Sequence, residues 1–324
     1  MPEHVRSDLD TGGQIGDPLP SWHEGPSKQA ILEFVGRVTD PGGPGAVPAE
    51  ERIAVFDNDG TLWCEKPMPI QLDFILRRLV VMTEEDPALG TRQPWLAAVT
   101  RDYGWFSSVI TGHYHGDNSG VKVFAKGVLM AYTDITVEEF ETLADQFLRT
   151  TDHPTLGRTY LTCGYVPMIE LLRYLETNEF HNYIVSGGGR DFMRPISLDV
   201  YGVPRQRVIG SSASLVWKAD GRGGTLVHKP ALDVLVDGPE KPVRIWSRIG
   251  RRPLLAAGNS NGDIPMLQFS ERADLPSLQI LVQHDDSRRE FAYREGAEQA
   301  FDLADARGWT IASIENDWSA VFPS

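Results

Sequence analysis

The chain has 324 residues, more than one hydrophobic core usually supports, so one large α/β unit carrying an insertion, or two modest domains, is expected. A composition of 41% hydrophobic and 23% charged residues is too apolar for disorder, and no run approaches the ~18 apolar residues of a membrane-spanning helix. With 45 Asp and Glu against 31 Lys and Arg, the formal charge of −14 argues against nucleic acid and membrane surfaces as partners.

Residues 1–27 are rich in Gly, Pro, Asp and His without apolar periodicity, which predicts an irregular N-terminal arm on the surface. The opening MPEHVRSDLDTGGQ has no basic stretch followed by an apolar run, so no secretory signal is expected and the location is read as cytoplasmic. Ser27 then caps a helix whose Ile31, Phe34, Val35 and Val38 share one face, and PGGPGAVP ends it. IAVF (53–56) is a continuous apolar run, the pattern of a buried parallel strand, and it opens into the polar cluster DNDGT.

Residues 64–165 carry helical signals and little strand, including a capping box at Thr136 and Glu139 followed by Phe140, Leu143, Ala144 and Phe147. They predict a helical insertion into a core made of 28–63 and 166–324. The core resumes with a helix from Pro167 that turns Met168, Leu171, Leu172 and Leu175 inward, then the strand NYIVS (182–186) and a glycine triplet. VIGSSASLVW up to Trp217, a hairpin at ADGRGG, a helix from Pro242 to Ile249 closed by Gly250, PLLAAGN (253–259) and SLQILV (277–282) complete the reading. Strands alternating with helices predict a doubly wound, mainly parallel Rossmann-type sheet, whose ligands bind beyond the carboxyl ends of the strands.

Three of those strand ends carry chemistry. Asp57 and Asp59 stand where the first strand opens into a loop, so both can reach one site; one could act as nucleophile or metal ligand while the other handles protons. A βα turn using Asp and Gly only for backbone geometry is the plainer account of that segment. Ser186 and Gly187, at the second strand end, could offer a hydroxyl and backbone N–H groups to a phosphate oxygen, although a glycine-rich turn without ligand is equally common. The segment has neither the GxGxxG nor the Walker spacing, so it does not predict dinucleotide or P-loop binding. At the third, Asn259 and Asp263 combine with Asp57 into the hard oxygen set that Mg²⁺ prefers, or serve as a turn and helix cap. Lys241, just before Pro242, projects toward the same face, although a lone lysine is usually solvated surface.

In combination and order, these residues resemble the haloacid dehalogenase-like (HAD) superfamily, phosphoserine phosphatase-like branch. The first motif, DxDG[TS], is matched by Asp57 to Thr61, the second by Ser186, the third by Lys241 and the fourth by Gly258 to Asp263. The helical stretch then corresponds to a cap domain inserted between the first two motifs. The resemblance implies that Asp57 attacks the phosphorus of a small phosphorylated metabolite while Asp59 protonates the leaving alcohol and later activates water. It further implies that Ser186, Gly187 and Lys241 hold the phosphoryl oxygens, and that Mg²⁺ sits on Asp57, the Asp59 carbonyl, Asn259 and Asp263. Many members have Asp where this chain has Asn259, which shifts weight to Asp263 as the carboxylate ligand.

Glu65 and Lys66, at the entry to the insertion, are candidate substrate contacts or a solvated charge pair. His113 and His115 have an HxH spacing without a third ligand, which favours a polar loop over zinc. His284, Asp285 and Asp286 follow a strand and belong to the site rim or to a helix cap. Cys64 and Cys163 are too few for a disulfide framework, and Cys64 reads as a packed thiol. The function expected is a Mg²⁺-dependent phosphomonoester hydrolase. A phosphomutase or phosphotransferase of the same fold, a non-catalytic phosphate-binding regulatory protein, and a DxD glycosyltransferase are the alternatives, the last giving no role to Lys241 or Ser186. An apolar face on the insertion is compatible with a homodimer.

Overall fold

A computed structural model describes residues 16–324 apart from 103, 107, 110–116, 118, 220 and 222. His113 and His115 lie outside the described residues. Seven strands form one sheet: β1 (Ile53–Phe56), β2 (His181–Gly189), β3 (Val208–Lys218), β4 (Thr225–Val234), β5 (Leu255–Gly258), β6 (Leu278–Gln283) and β7 (Thr310–Ser313). Their spatial order is β4-β3-β2-β1-β5-β6-β7, parallel throughout except for the antiparallel β3–β4 pair. The chain leaves β1 for β2 on one side and returns to β5 on the other, so β1 is the switch point at which a crevice opens beyond the strand ends.

The two-residue period of a strand sends alternate side chains to opposite layers. Ala54, Phe56, Leu255, Ala257 and Ile280 enter one core with Ile31, Met168 and Phe192. Val55, Ala256 and Leu281 enter the other with Ile245, Met266 and Phe301. Burial on both sides explains why these strands read as unbroken apolar runs.

Helix α1 (Pro26–Thr39) buries Ile31, Phe34, Val35 and Val38, but it starts two residues earlier than a cap at Ser27 predicts. Pro26, with its fixed φ and no N–H to satisfy, takes the first turn. The Ser27 hydroxyl instead donates to the Ile311 carbonyl and to Asp317. Of the segment before it, residues 16–25 are described, and two of them are held in the core. Leu19 and Trp22 are fully buried, and the Trp22 indole donates to the Pro167 carbonyl at 2.9 Å.

Between β1 and β2 the described elements are helices: α2 (Ile70–Glu85), α3 (Trp95–Thr100), α4 (Ser119–Ala131), α5 (Val137–Thr150) and α6 (Val166–Thr177). The capping box of α5 is present, with Thr136 Oγ1 accepting from the Glu139 N–H at 3.1 Å and Glu139 accepting from the Thr136 N–H at 2.8 Å. Phe140, Ala144 and Phe147 are buried behind it, whereas Leu143 is exposed and Leu148 takes the inward place. Helix α7 (Arg190–Tyr201) follows β2 directly. The β3–β4 pair is considerably longer than the predicted hairpin turn alone suggests, running from Ser212↔Val234 to Lys218↔Thr225. No helix among the described residues is long and apolar enough to cross a membrane.

Candidate active site

The carboxyl ends of β2, β1 and β5 lie side by side, and each delivers the polar residues that follow it. The Asp57 N–H donates to the Ala257 carbonyl at 2.9 Å, so the residue after β1 is still fixed by the sheet. Beyond it the chain curls: Thr61, Leu62 and Trp63 all donate to the Asn58 carbonyl, and Gly60 adopts φ 74°. This tight turn brings Asp57 and Asp59 to one end of the sheet.

Lys241 reaches them from helix α8 (Glu240–Ile249). The helix begins before Pro242 because the turn at Asp237 and Gly238 winds directly into it, with Glu240 and Lys241 donating to their carbonyls. A proline in the first turn costs no hydrogen bond. Lys241 and Ile245, one turn apart, therefore face inward together, and Lys241 is 2% exposed. Its ammonium stands 2.6 Å from Asp57 Oδ1 and 2.5 Å from Asp263 Oδ1. Burial opposes that charge, but the two carboxylates outweigh it and hold the lysine protonated, above the usual range. One ammonium cannot neutralise both acids. Burial, and then the Asp263 charge, push Asp57 well above the ordinary carboxylate range against the pull of Lys241.

Asp59 is set up differently. Its Oδ1 accepts the Trp63 indole N–H at 2.8 Å. Burial raises its pKa to about 6, with the Trp63 hydrogen bond pulling down and the Glu65 charge pushing up. A methyl placed on Gly188 would lie 3.2 Å from Ser186 Oγ and 3.4 Å from both Asp59 Oδ2 and Gln71 Oε1. The second strand end and the Asp59 carboxylate thus share one small space. Ser186 is 1% exposed and its Oγ accepts the Gly188 N–H at 2.9 Å, while Gly187 is exposed and its carbonyl accepts from Ser211 at 2.7 Å.

In the loop after β5, Asp263 Oδ2 accepts from the Asn259 and Ser260 N–H groups, both at 3.0 Å, and from the Ser260 hydroxyl at 3.1 Å. With Oδ1 on Lys241, both its oxygens are engaged. Asn259 Oδ1 accepts from Thr61 at 3.1 Å, and its Nδ2 donates to Glu65 Oε1 at 3.0 Å. Glu65 therefore turns back to the core, and the Lys66 ammonium sits 4.5 Å from the centre of the Tyr293 ring. Glu65 and Lys66 thus each face another residue of the site.

Several residues of the site carry no motif. His284 Nε2 lies 2.8 Å from the Gly60 carbonyl, and its Nδ1 lies 3.0 Å from Glu290 Oε2. Tyr165 donates to the other Glu290 oxygen at 2.6 Å. The neighbouring acids cap turns: Asp286 accepts from the Arg288 and Arg289 N–H groups, and Asp285 from the Ser313 hydroxyl. Cys64 is buried beside Cys163, which together with burial raises its pKa.

Among the described residues, no three His, Cys, Asp or Glu side chains form a metal-holding group by themselves. The donor chemistry nevertheless suits a hard divalent cation: Asp57 and Asp263 share one lysine, Asp59 adds a third acid close enough to feel that ammonium, and the surplus negative charge is what such an ion offsets. Mixed donors would hold it, namely the Asp57 carboxylate, the Asp59 main-chain carbonyl and the Asn259 amide oxygen.

Residues 54–268 match the family model of the haloacid dehalogenase-like hydrolases. The chain belongs to that family. No curated protein matches it in sequence. Among solved structures, a conserved protein of unknown function from Anaerococcus prevotii DSM 20548 is similar at 15% identity and TM-score 0.53, covering 92% of this chain and 94% of that one. A protein of unknown function from Bordetella pertussis Tohama I is similar at 16% identity and TM-score 0.51, covering 81% and 98%. A phosphoserine phosphohydrolase-like protein from Francisella tularensis subsp. tularensis SCHU S4 is similar at 16% identity and TM-score 0.43, covering 81% and 94%. For the first two, likeness at these identities concerns the fold alone.

Proposed function

We propose that this HAD hydrolase is a Mg²⁺-dependent phosphomonoester hydrolase acting on a small phosphorylated metabolite through an aspartyl-phosphate on Asp57. The observation that carries the reading is a pair of differently tuned acids two residues apart, Asp57 on Lys241 and Asp59 on Trp63, the second of them beside the Ser186 glycine turn. Asp57 attacks phosphorus; Ser186, the Gly187 N–H and Lys241 hold the phosphoryl oxygens as charge moves onto the leaving group. Asp59, with a pKa of about 6, gives its proton to the departing alcohol and then takes one from water. Mg²⁺, on Asp57, the Asp59 carbonyl and Asn259, would screen the carboxylate from an incoming dianion. Asp263 anchors Lys241 and the loop after β5. The helical insertion at 64–165 serves as the cap that closes over the leaving group.

Hydrolysis of p-nitrophenyl phosphate, with and without Mg²⁺, tests this. The parent is expected to turn over with the metal, and Asp57→Asn to lose at least about a thousandfold, because a carboxamide is no nucleophile. Equal rates in the two proteins overturn the reading.

A further inference from the structure

The Asn259 side chain is 3% exposed and gripped at both ends. Its Oδ1 accepts the Thr61 hydroxyl, and its Nδ2 donates to Glu65 Oε1 at 3.0 Å. That same Glu65 oxygen accepts the Tyr293 hydroxyl at 2.6 Å, and the Tyr293 ring is stacked on His284 with centroids 4.3 Å apart. There is no slack on the Gly60 side, since a Cβ there would fall 2.1 Å from Asn259 Nδ2. Rotating the amide by half a turn would bring its oxygen against the Glu65 oxygen, two acceptors with no proton between them. The carboxylate at 65 thus decides which way the amide at 259 points. It also ties the segment leaving the nucleophile loop to the loop after β5.

We propose that Glu65 is a positioning residue for Asn259: acceptor at 65 and donor at 259 form a matched pair that fixes the amide oxygen, and a charged residue at 65 requires an amide at 259. An aspartate at 259 would face Glu65 with two carboxylate oxygens where a donor and an acceptor now meet, and two like charges at that separation repel. The pairing stands on the geometry alone; only its effect on turnover rests on the phosphatase reading.

The test is a double-mutant cycle in the full chain with Asn259→Asp, Glu65→Gln and both together. Each protein is followed by thermal unfolding without substrate or metal, and by p-nitrophenyl phosphate hydrolysis with Mg²⁺. Asn259→Asp is expected to lower Tm by at least about 3 °C and kcat by at least about tenfold, with a smaller change in KM. Glu65→Gln, whose amide oxygen still accepts both hydrogen bonds, loses only about threefold in kcat. In the double variant the amide at 65 donates to the carboxylate at 259, and both Tm and most of kcat return. Asn259→Asp behaving like the parent, or a double variant showing the plain sum of the single effects, overturns the proposal. If no variant and no parent turns over, the phosphatase reading fails. The Tm cycle then decides the pairing by itself, recovery supporting it and additivity refuting it.

Discussion

Lys241 shares one buried ammonium between Asp57, 2.6 Å away, and Asp263, 2.5 Å away, and so joins the end of β1 to the loop after β5. The contact serves stability and chemistry together, because it holds the carboxylate read as the nucleophile and leaves the cluster with more negative than positive charge.

Lys241→Met should therefore cost much more than a surface substitution. It strands two buried carboxylates, a loss of about 3–5 kcal/mol for breaking such a pair from one side. Chemical denaturation of the variant checks this, and adding Asp263→Asn should recover part of the stability without recovering hydrolysis. A Lys241→Met protein as stable as the parent would contradict the shared ion pair.

Asp59 gives a pH dependence of known sign. Burial raises its folded pKa from 3.8 to about 6, so the native state favours the protonated acid. Its contribution to stability is full below pH 3.8 and is lost as pH rises through about 6. Asp59→Asn should remove this loss, and unfolding followed across that window should show the two proteins diverging. The proton-donating step should weaken as pH rises past the same value. Trp63→Phe, which deletes the hydrogen bond favouring the ionised form, should move that limb of the pH–rate profile upward. Coincident profiles for the parent and Trp63→Phe would count against Asp59 as the acid.

Gly60→Ala is expected to be among the most damaging single changes in the loop after β1. The residue has φ 74°, and a Cβ would overlap Asn259 Nδ2 at 2.1 Å. The left-handed conformation alone costs about 1–2 kcal/mol for a residue with a side chain, and the overlap adds to it. Differential scanning calorimetry should show a clear loss of Tm, and an unchanged Tm would mean that the loop has another conformation.

The sequence made the strands and the polar ends of β1, β2 and β5 legible because buried parallel strands are unbroken apolar runs and the motifs sit where those runs stop. It misplaced Lys241 before its helix because Pro242 looked like a start, whereas the Asp237–Gly238 turn begins the helix two residues earlier. It gave no sign that Leu19 and Trp22 are buried, because they have no periodic partners; Trp22 meets the Pro167 carbonyl and the Trp318 ring, far along the chain. His284 was visible only as a residue after a strand, and Gln71, Glu290 and Tyr293 carried no signal. Their roles arise from contacts across more than a hundred residues, to Gly189, Tyr165 and Glu65, that no local spacing encodes.

The claim on which the account depends is that the Asp57 carboxylate itself accepts the phosphoryl group. Rapid acid quench of the parent protein mixed with p-nitrophenyl phosphate and Mg²⁺, followed by peptide mass spectrometry, measures it directly. A single added phosphoryl group on the peptide bearing Asp57, absent from Asp57→Asn and removed on standing at neutral pH, is the expected result. Turnover with no labelled peptide in the parent and undiminished release of nitrophenol by Asp57→Asn would contradict it.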